Sequence, residues 1–196
     1  MPGPSKAVAP PTSRRAQIVA VAAELFAERG FHGVSVYELG AAVGTSGAAL
    51  YKHFANKEAL LGEMLVGISE RLLSEGQRRA QAATPDGPEA VLAGLVDWHV
   101  EFALAHPALI TVQLRDLASL SEDDRHTVRR LQREYVQLWI SAIRAALGGD
   151  EARARSAAHA TFGLINSTPH SARLRPEQMA ELLHAMAIGA LQASMR

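Results

Sequence analysis

From Asn56 almost to the end of the chain, apolar residues recur three and four apart, and nowhere do two alternating apolar and polar runs flank a turn. The pattern leaves no place for a sheet and dictates an all-α fold. It also runs upstream, where Ile18, Ala22, Leu25 and Phe26 keep helical spacing between Ser13, a capping residue, and Gly30, suited to the positive φ of a helix end. Breaks are legible from local chemistry. Thr84 to Gly87 is a turn that puts Pro88 in a first helical position, and His106-Pro107 is a boundary or kink. Ser121 with Asp124 resembles a cap, Gly148-Gly149-Asp150 is a stop and a start, and Ser167 to Pro176 is a loop. About nine helices follow, three in a small N-terminal unit and the rest in a larger bundle, with no internal repeat and no sustained heptads. Residues 1–12, with four prolines, are expected to be a mobile arm.

The small unit carries the strongest chemistry. Ser35-Val36-Tyr37-Glu38 is a capping-box pattern opening a short helix through Leu39 and Val43, which must stop near Gly44. A third helix is expected to start around Ser46, carry Leu50, Tyr51 and Phe54, and yield at Asn56. Two short helices joined by a tight turn and backed by a longer one are the parts of a helix-turn-helix, centred on Gly44 to Phe54. A helix that enters a DNA groove needs a slim leading edge and phosphate-directed groups behind it. Ser46, Gly47, Ala48 and Ala49 are small, whereas Tyr51, Lys52, His53 and Lys57 can donate to phosphates. Leu50 and Phe54 would turn back onto Leu25, Phe26, Leu39 and Val43.

Composition narrows the remaining classes. With 196 residues and 48% hydrophobic content the chain can bury a substantial core, and without cysteine it has no disulfide, thiolate metal site or cysteine nucleophile. No apolar run approaches the roughly 18 to 20 residues of a membrane span and the N-terminus has no signal-peptide stretch, so the expected setting is cytoplasmic, away from membranes. A net charge of zero argues against bulk coating of nucleic acid, although residues 1–57 hold six basic and three acidic side chains. The motifs of hydrolases, phosphate loops, dinucleotide folds and zinc proteases are missing, so no enzyme, cofactor or metal is expected. A helical enzyme, or a DNA-binding protein without an effector, is the alternative from another class.

The run Ile18 to Leu60 resembles the DNA-binding domain of the TetR (tetracycline repressor) family. The resemblance lies in Ala23-Glu24-Leu25-Phe26-Ala27-Glu28-Arg29-Gly30-Phe31, in Ser35-Val36, in Leu50-Tyr51-Lys52-His53-Phe54, and in Lys57-Glu58-Ala59-Leu60. It implies that Ser35 and Val36 sit at a phosphate, that residues 46–49 with Tyr51 and His53 approach bases and backbone, and that Lys57 touches a phosphate. Thr45, Gly47, Ala49 and Lys52 depart from the usual pattern. Base readout is therefore expected to be thin, with more recognition from DNA shape, Tyr51 and the segment holding Arg14 and Arg15.

The resemblance further implies residues 13–57 as a reading domain and 58–196 as an effector-binding and dimerisation domain, whose last two helices pair two subunits on a pseudo-palindromic, double-stranded operator. Independently, Met179, Leu182, Leu183, Met186, Ala187, Ala190 and Leu191 make the final helix apolar on more than one face, and an alanine-rich helix precedes it. Aromatic and polar residues that share helical faces are the effector-site candidates: Leu95, Trp98, His99, Phe102, Arg115, Tyr135, Trp139, Phe162 and Asn166. The stretch His159 to His170 resembles regulators of acyl-CoA and lipid catabolism in actinobacteria. A repressor released by an acyl-CoA or fatty acid is the expectation. The alternative is a drug-responsive efflux repressor, for which an acidic pocket residue is expected.

Overall fold

The computed structural model describes residues 13–195; the proposed arm of residues 1–12 lies outside them. Ten α-helical segments follow in order: α1 (Arg14–Arg29), α2 (Val36–Ala42), α3 (Gly47–Leu50), α4 (Lys57–Ala83), α5 (Pro88–Ala105), α6 (Pro107–Asp116), α7 (Glu122–Leu147), α8 (Glu151–Ile165), α9 (Thr168–Ser171) and α10 (Pro176–Ser194). No strand occurs among the described residues. Nine of the segments match those read from the sequence. The tenth, α9, is a single turn inside the stretch read as a loop.

Local chemistry sets the ends. Ser13 accepts from the Ala16 N–H at 3.1 Å, and at Ser35 the capping box closes both ways, with Glu38 N–H to Ser35 Oγ at 3.2 Å and Ser35 N–H to Glu38 Oε2 at 2.8 Å. The serine and arginine contacts hold the Glu38 carboxyl below its ordinary range, the serine hydrogen bonds first. Ser46, Asn56, Ser121 and Asp150 cap α3, α4, α7 and α8 in the same manner. One element is shorter than its pattern. Regular α3 ends at Leu50, and Tyr51 to His53 form tight turns through Lys52 N–H to Ala49 O and His53 N–H to Leu50 O, three residues apart.

Around α1, α2 and α3 the buried side chains are Ile18, Ala22, Phe26, Phe31, Val34, Leu39, Val43, Leu50 and Phe54. α4, at 27 residues about 40 Å long, packs on α1 and then runs into the body beside α5 and α7. Two glycines let α7 come close: a methyl on Gly62 would lie 2.3 Å from Asp124 Oδ2, and one on Gly76 would lie 2.8 Å from the Tyr135 ring. α8 packs on α7 and α10, α10 also on α5, and α6 lies against α1.

Candidate functional site

Two side-chain groupings stand out, one on the surface of α2 and α3 and one inside the body. At the first, Ser46, Ala48, Tyr51 and Lys52 are exposed while Leu50 and Phe54 are buried, the division the groove-reading geometry requires. The turn before α3 depends on Gly44, with φ of 69°, and on Gly40, which the sequence pattern did not single out. A methyl on Gly40 would sit 2.5 Å from Gly47 N and 2.7 Å from the Ser46 carbonyl carbon. The absent side chain is what lets α3 lie directly against α2. Gly47 is itself close-packed, since a methyl there would be 3.2 Å from the Val36 carbonyl oxygen.

Tyr37 was also missed. Its side chain is 79% exposed, against 55% for Tyr51, and it follows Val36 at the edge where α2 meets Gly47. The available signal was phase: two residues from Leu39 on a short helix, Tyr37 points away from the core face.

The cations divide into free and committed groups. Lys52 is exposed on the turn after α3. Lys57, by contrast, directs its ammonium at the carbonyls of Phe31 and Val34, both at 2.8 Å, over the Phe31 ring at 4.3 Å. Two of its three donors thereby tie the α1–α2 connection, which leads to Ser35 and Val36, to the start of α4. Arg14 bonds the Val43 carbonyl at 2.5 Å and Gln17 at 2.8 Å, securing the turn that Gly44 makes. Arg15 pairs with Glu63, bonds the His53 carbonyl and lies over the Phe54 ring.

The second grouping lines a cavity of about 360 Å³ between α4, α5, α6, α7 and α8. Leu72, Ile110, Leu114, Leu117, Val136 and Phe162 supply apolar wall, and Gln113, Gln132, His99, Tyr135, His159 and Asn166 supply polar groups. Leu114, 73% exposed, marks its open side. His99 is held on both ring nitrogens: Nδ1 lies 3.2 Å from the Tyr135 hydroxyl and Nε2 lies 3.1 Å from Asn166 Oδ1. Burial lowers its pKa to about 4, so the ring is neutral, donating from Nε2 to Asn166 and accepting the Tyr135 proton at Nδ1. Burial likewise raises the pKa of the Tyr135 hydroxyl. Phe162 stacks on Tyr135 at 5.8 Å and sits 5.0 Å from His99. Trp139 Nε1, buried beside them, makes no hydrogen bond within the described residues.

Four effector candidates thus come together at the wall: His99, Tyr135, Phe162 and Asn166. Five do not. Leu95 is buried, Trp98 gives its N–H to the Leu72 carbonyl at 3.2 Å, Trp139 packs behind Phe162, and Phe102 faces a separate groove toward α1. Arg115 lies apart from the expected grouping. It lies on the face of α6 away from the cavity, bonds the carbonyls of Phe26 and Ala27 at the end of α1, and is held by Asp116 Oδ1 at 3.3 Å and Oδ2 at 3.2 Å. The Phe26 carbonyl also accepts the Gly30 N–H at 2.8 Å, whereas a carbonyl in the last turn such as that of Ala27 has no acceptor role inside the helix, and the negative end of the helix dipole favours a guanidinium there. No helix of the described residues is long and apolar enough to cross a membrane.

A slim reading helix on a three-helix unit, joined by one long helix to a body with an internal cavity, defines a helix-turn-helix DNA-binding regulator. Residues 18–64 match the profile of bacterial regulatory proteins of the tetR family, and residues 85–191 match that of the tetracyclin repressor-like C-terminal domain. The chain belongs to the TetR family. It is 27% identical over 168 residues to the HTH-type transcriptional repressor KstR2 of Rhodococcus jostii (strain RHA1), spanning 85% of this chain and 81% of that protein. Its fold is similar to that of a TetR-family regulator from Bordetella parapertussis 12822, with a TM-score of 0.79 at 24% identity over 90% of this chain and 95% of that one. It is also similar to that of AibR, solved with isovaleryl coenzyme A and operator DNA, with a TM-score of 0.72 at 23% identity over 89% and 97%.

Proposed function

We propose that the chain is a homodimeric, cytoplasmic transcriptional repressor, not an enzyme, that leaves a pseudo-palindromic operator when an acyl-CoA or related lipid thioester enters the cavity bounded by α4 to α8. One observation carries the reading: α6 faces both ways. Ile110, Gln113, Leu114 and Leu117 on and just after it line the cavity, while Arg115 bonds the last carbonyls of α1, the helix that backs the reading unit. A ligand that favours one position of α6 must then favour one pose of α1, and tenfold release needs only about 1.4 kcal/mol of difference.

Thioester chemistry is supported by the wall, which has no carboxylate among the described residues, so the feature expected for cationic drugs is missing. It has instead a neutral histidine, two glutamines and an asparagine, suited to an uncharged carbonyl and amide chain. AibR, similar in fold, was solved with such a thioester and with operator DNA. On this reading residues 13–57 form the reading domain, with Ser35, Val36, Tyr37, Ser46 to Ala49, Tyr51, Lys52 and His53 at the DNA and Arg14 and Lys57 as braces. Residues 58–196 form the body, paired through α8 and α10, where Leu182 and Met186 are 42% and 46% exposed. The test is selection of an operator from random DNA, followed by titration of the complex with thioesters of increasing acyl length. Operator affinity that ignores every one of them overturns the lipid reading.

A further inference from the structure

Along α7, Arg125, Arg129 and Arg133 follow each other at four-residue spacing and form, with His126 and Glu122, a surface depression of about 220 Å³. None of the three has a carboxylate within salt-bridge distance among the described residues, which is also true of Arg14, Arg71, Arg144, Arg173 and Arg175; what sets the three apart is that they stand together in one depression. Their place on the helix gives the strip its meaning. Gln132, Tyr135 and Val136 line the cavity, and residues three or four apart on a helix are neighbours about 5–6 Å apart. Arg129 and Arg133 therefore border Gln132 and Val136, on the flank of the helix that leads out of the cavity toward solvent.

We infer that the Arg125, Arg129 and Arg133 strip holds the phosphates of the effector, a thioester of coenzyme A whose acyl end lies against Tyr135 and Phe162. Unpaired guanidiniums offer forked donors that match phosphate oxygens, and Glu122 is the one carboxylate among the residues that line the depression. This rests on the reading that the cavity takes the effector, and supplies what the cavity lacks, recognition of the anionic part.

The experiment compares octanoyl-CoA with octanoyl-pantetheine, which keeps the thioester and amides but has no phosphates, by calorimetry on the full chain at 0.15 M salt. The wild type is expected to bind the CoA ester at least tenfold more tightly. In the variant R129Q/R133Q that advantage falls to threefold or less while octanoyl-pantetheine binds as before, a result that also shows the variant folded. Equal affinity of the wild type for the two esters, or an advantage that survives in the variant, overturns the strip and leaves the cavity reading standing. Binding of neither ester by the wild type overturns both.

Discussion

Replacing Gly40 by alanine should weaken the grip on DNA by about 100-fold while leaving the chain folded. The added methyl would stand 2.5 Å from Gly47 N and 2.7 Å from the Ser46 carbonyl carbon, both backbone atoms that cannot rotate away. Ordinary contact begins at 3.4 Å, so α3 must withdraw from α2 by about 0.9 Å. Overpacking of this kind costs about 1–3 kcal/mol, against a total stability of about 5–15 kcal/mol, so the chain still folds. On DNA the cost returns in another form, because each subunit must recover the original placement of α3 to keep its contacts. At about 1.4 kcal/mol per subunit, two reading heads lose about 2.8 kcal/mol, which is roughly 100-fold in affinity. Fluorescence anisotropy on the selected operator measures this at fixed salt, with Gly67→Ala as the companion. Nothing lies within 4 Å of a methyl at Gly67, in the interior of α4, so alanine there should add about 0.5–1 kcal/mol of stability and leave operator affinity unchanged. Operator binding by Gly40→Ala within twofold of wild type, with an unchanged Tm, would refute the argument.

Four further outcomes are expected. Burial lowers His99 to about 4 from an unfolded value near 6.5, so the unfolded chain takes up this proton first as pH falls; stability should drop by about 2 kcal/mol per subunit between pH 7 and 5, a slope that urea unfolding should find missing from His99→Gln. Arg115→Ala frees the end of α1 and should raise the effector concentration needed for half-release severalfold, read by anisotropy; an unchanged midpoint removes α6 as the link. Tyr37→Ala and Lys52→Ala, both exposed, should each weaken operator binding by the dimer about tenfold with Tm unmoved, about 0.7 kcal/mol for each of the two subunits. Leu182→Glu with Met186→Glu should yield monomers in light scattering; a persisting dimer places the interface elsewhere.

Helix starts and stops were legible in the sequence because their chemistry is local. Ser35 and Glu38, Ser121 and Asp124, and Asp150 and Arg153 are each three residues apart, so a cap can be read without knowing the fold. The small leading edge of α3 and the buried phase of Leu50 and Phe54 were legible for the same reason. A third of the cavity wall was legible too, since His99, Tyr135, Phe162 and Asn166, four of its twelve residues, are polar or aromatic on otherwise apolar faces.

What the sequence left open lies in contacts made across long separations. Arg115 reads as a cavity residue until α6 packs on α1 and brings it to Phe26, 89 positions away. Lys57 reads as a free cation until the α1–α2 connection folds its carbonyls over it, and Gly40 reads as any helical glycine until Gly47 arrives at its open side. Periodicity assigns a residue to a face of its own helix, and so the sequence by itself determined the all-α chain and its reading unit. Which neighbour covers each face depends on how the helices cross, and only the tertiary structure decided which residues brace, which line the cavity and which remain free to meet a ligand.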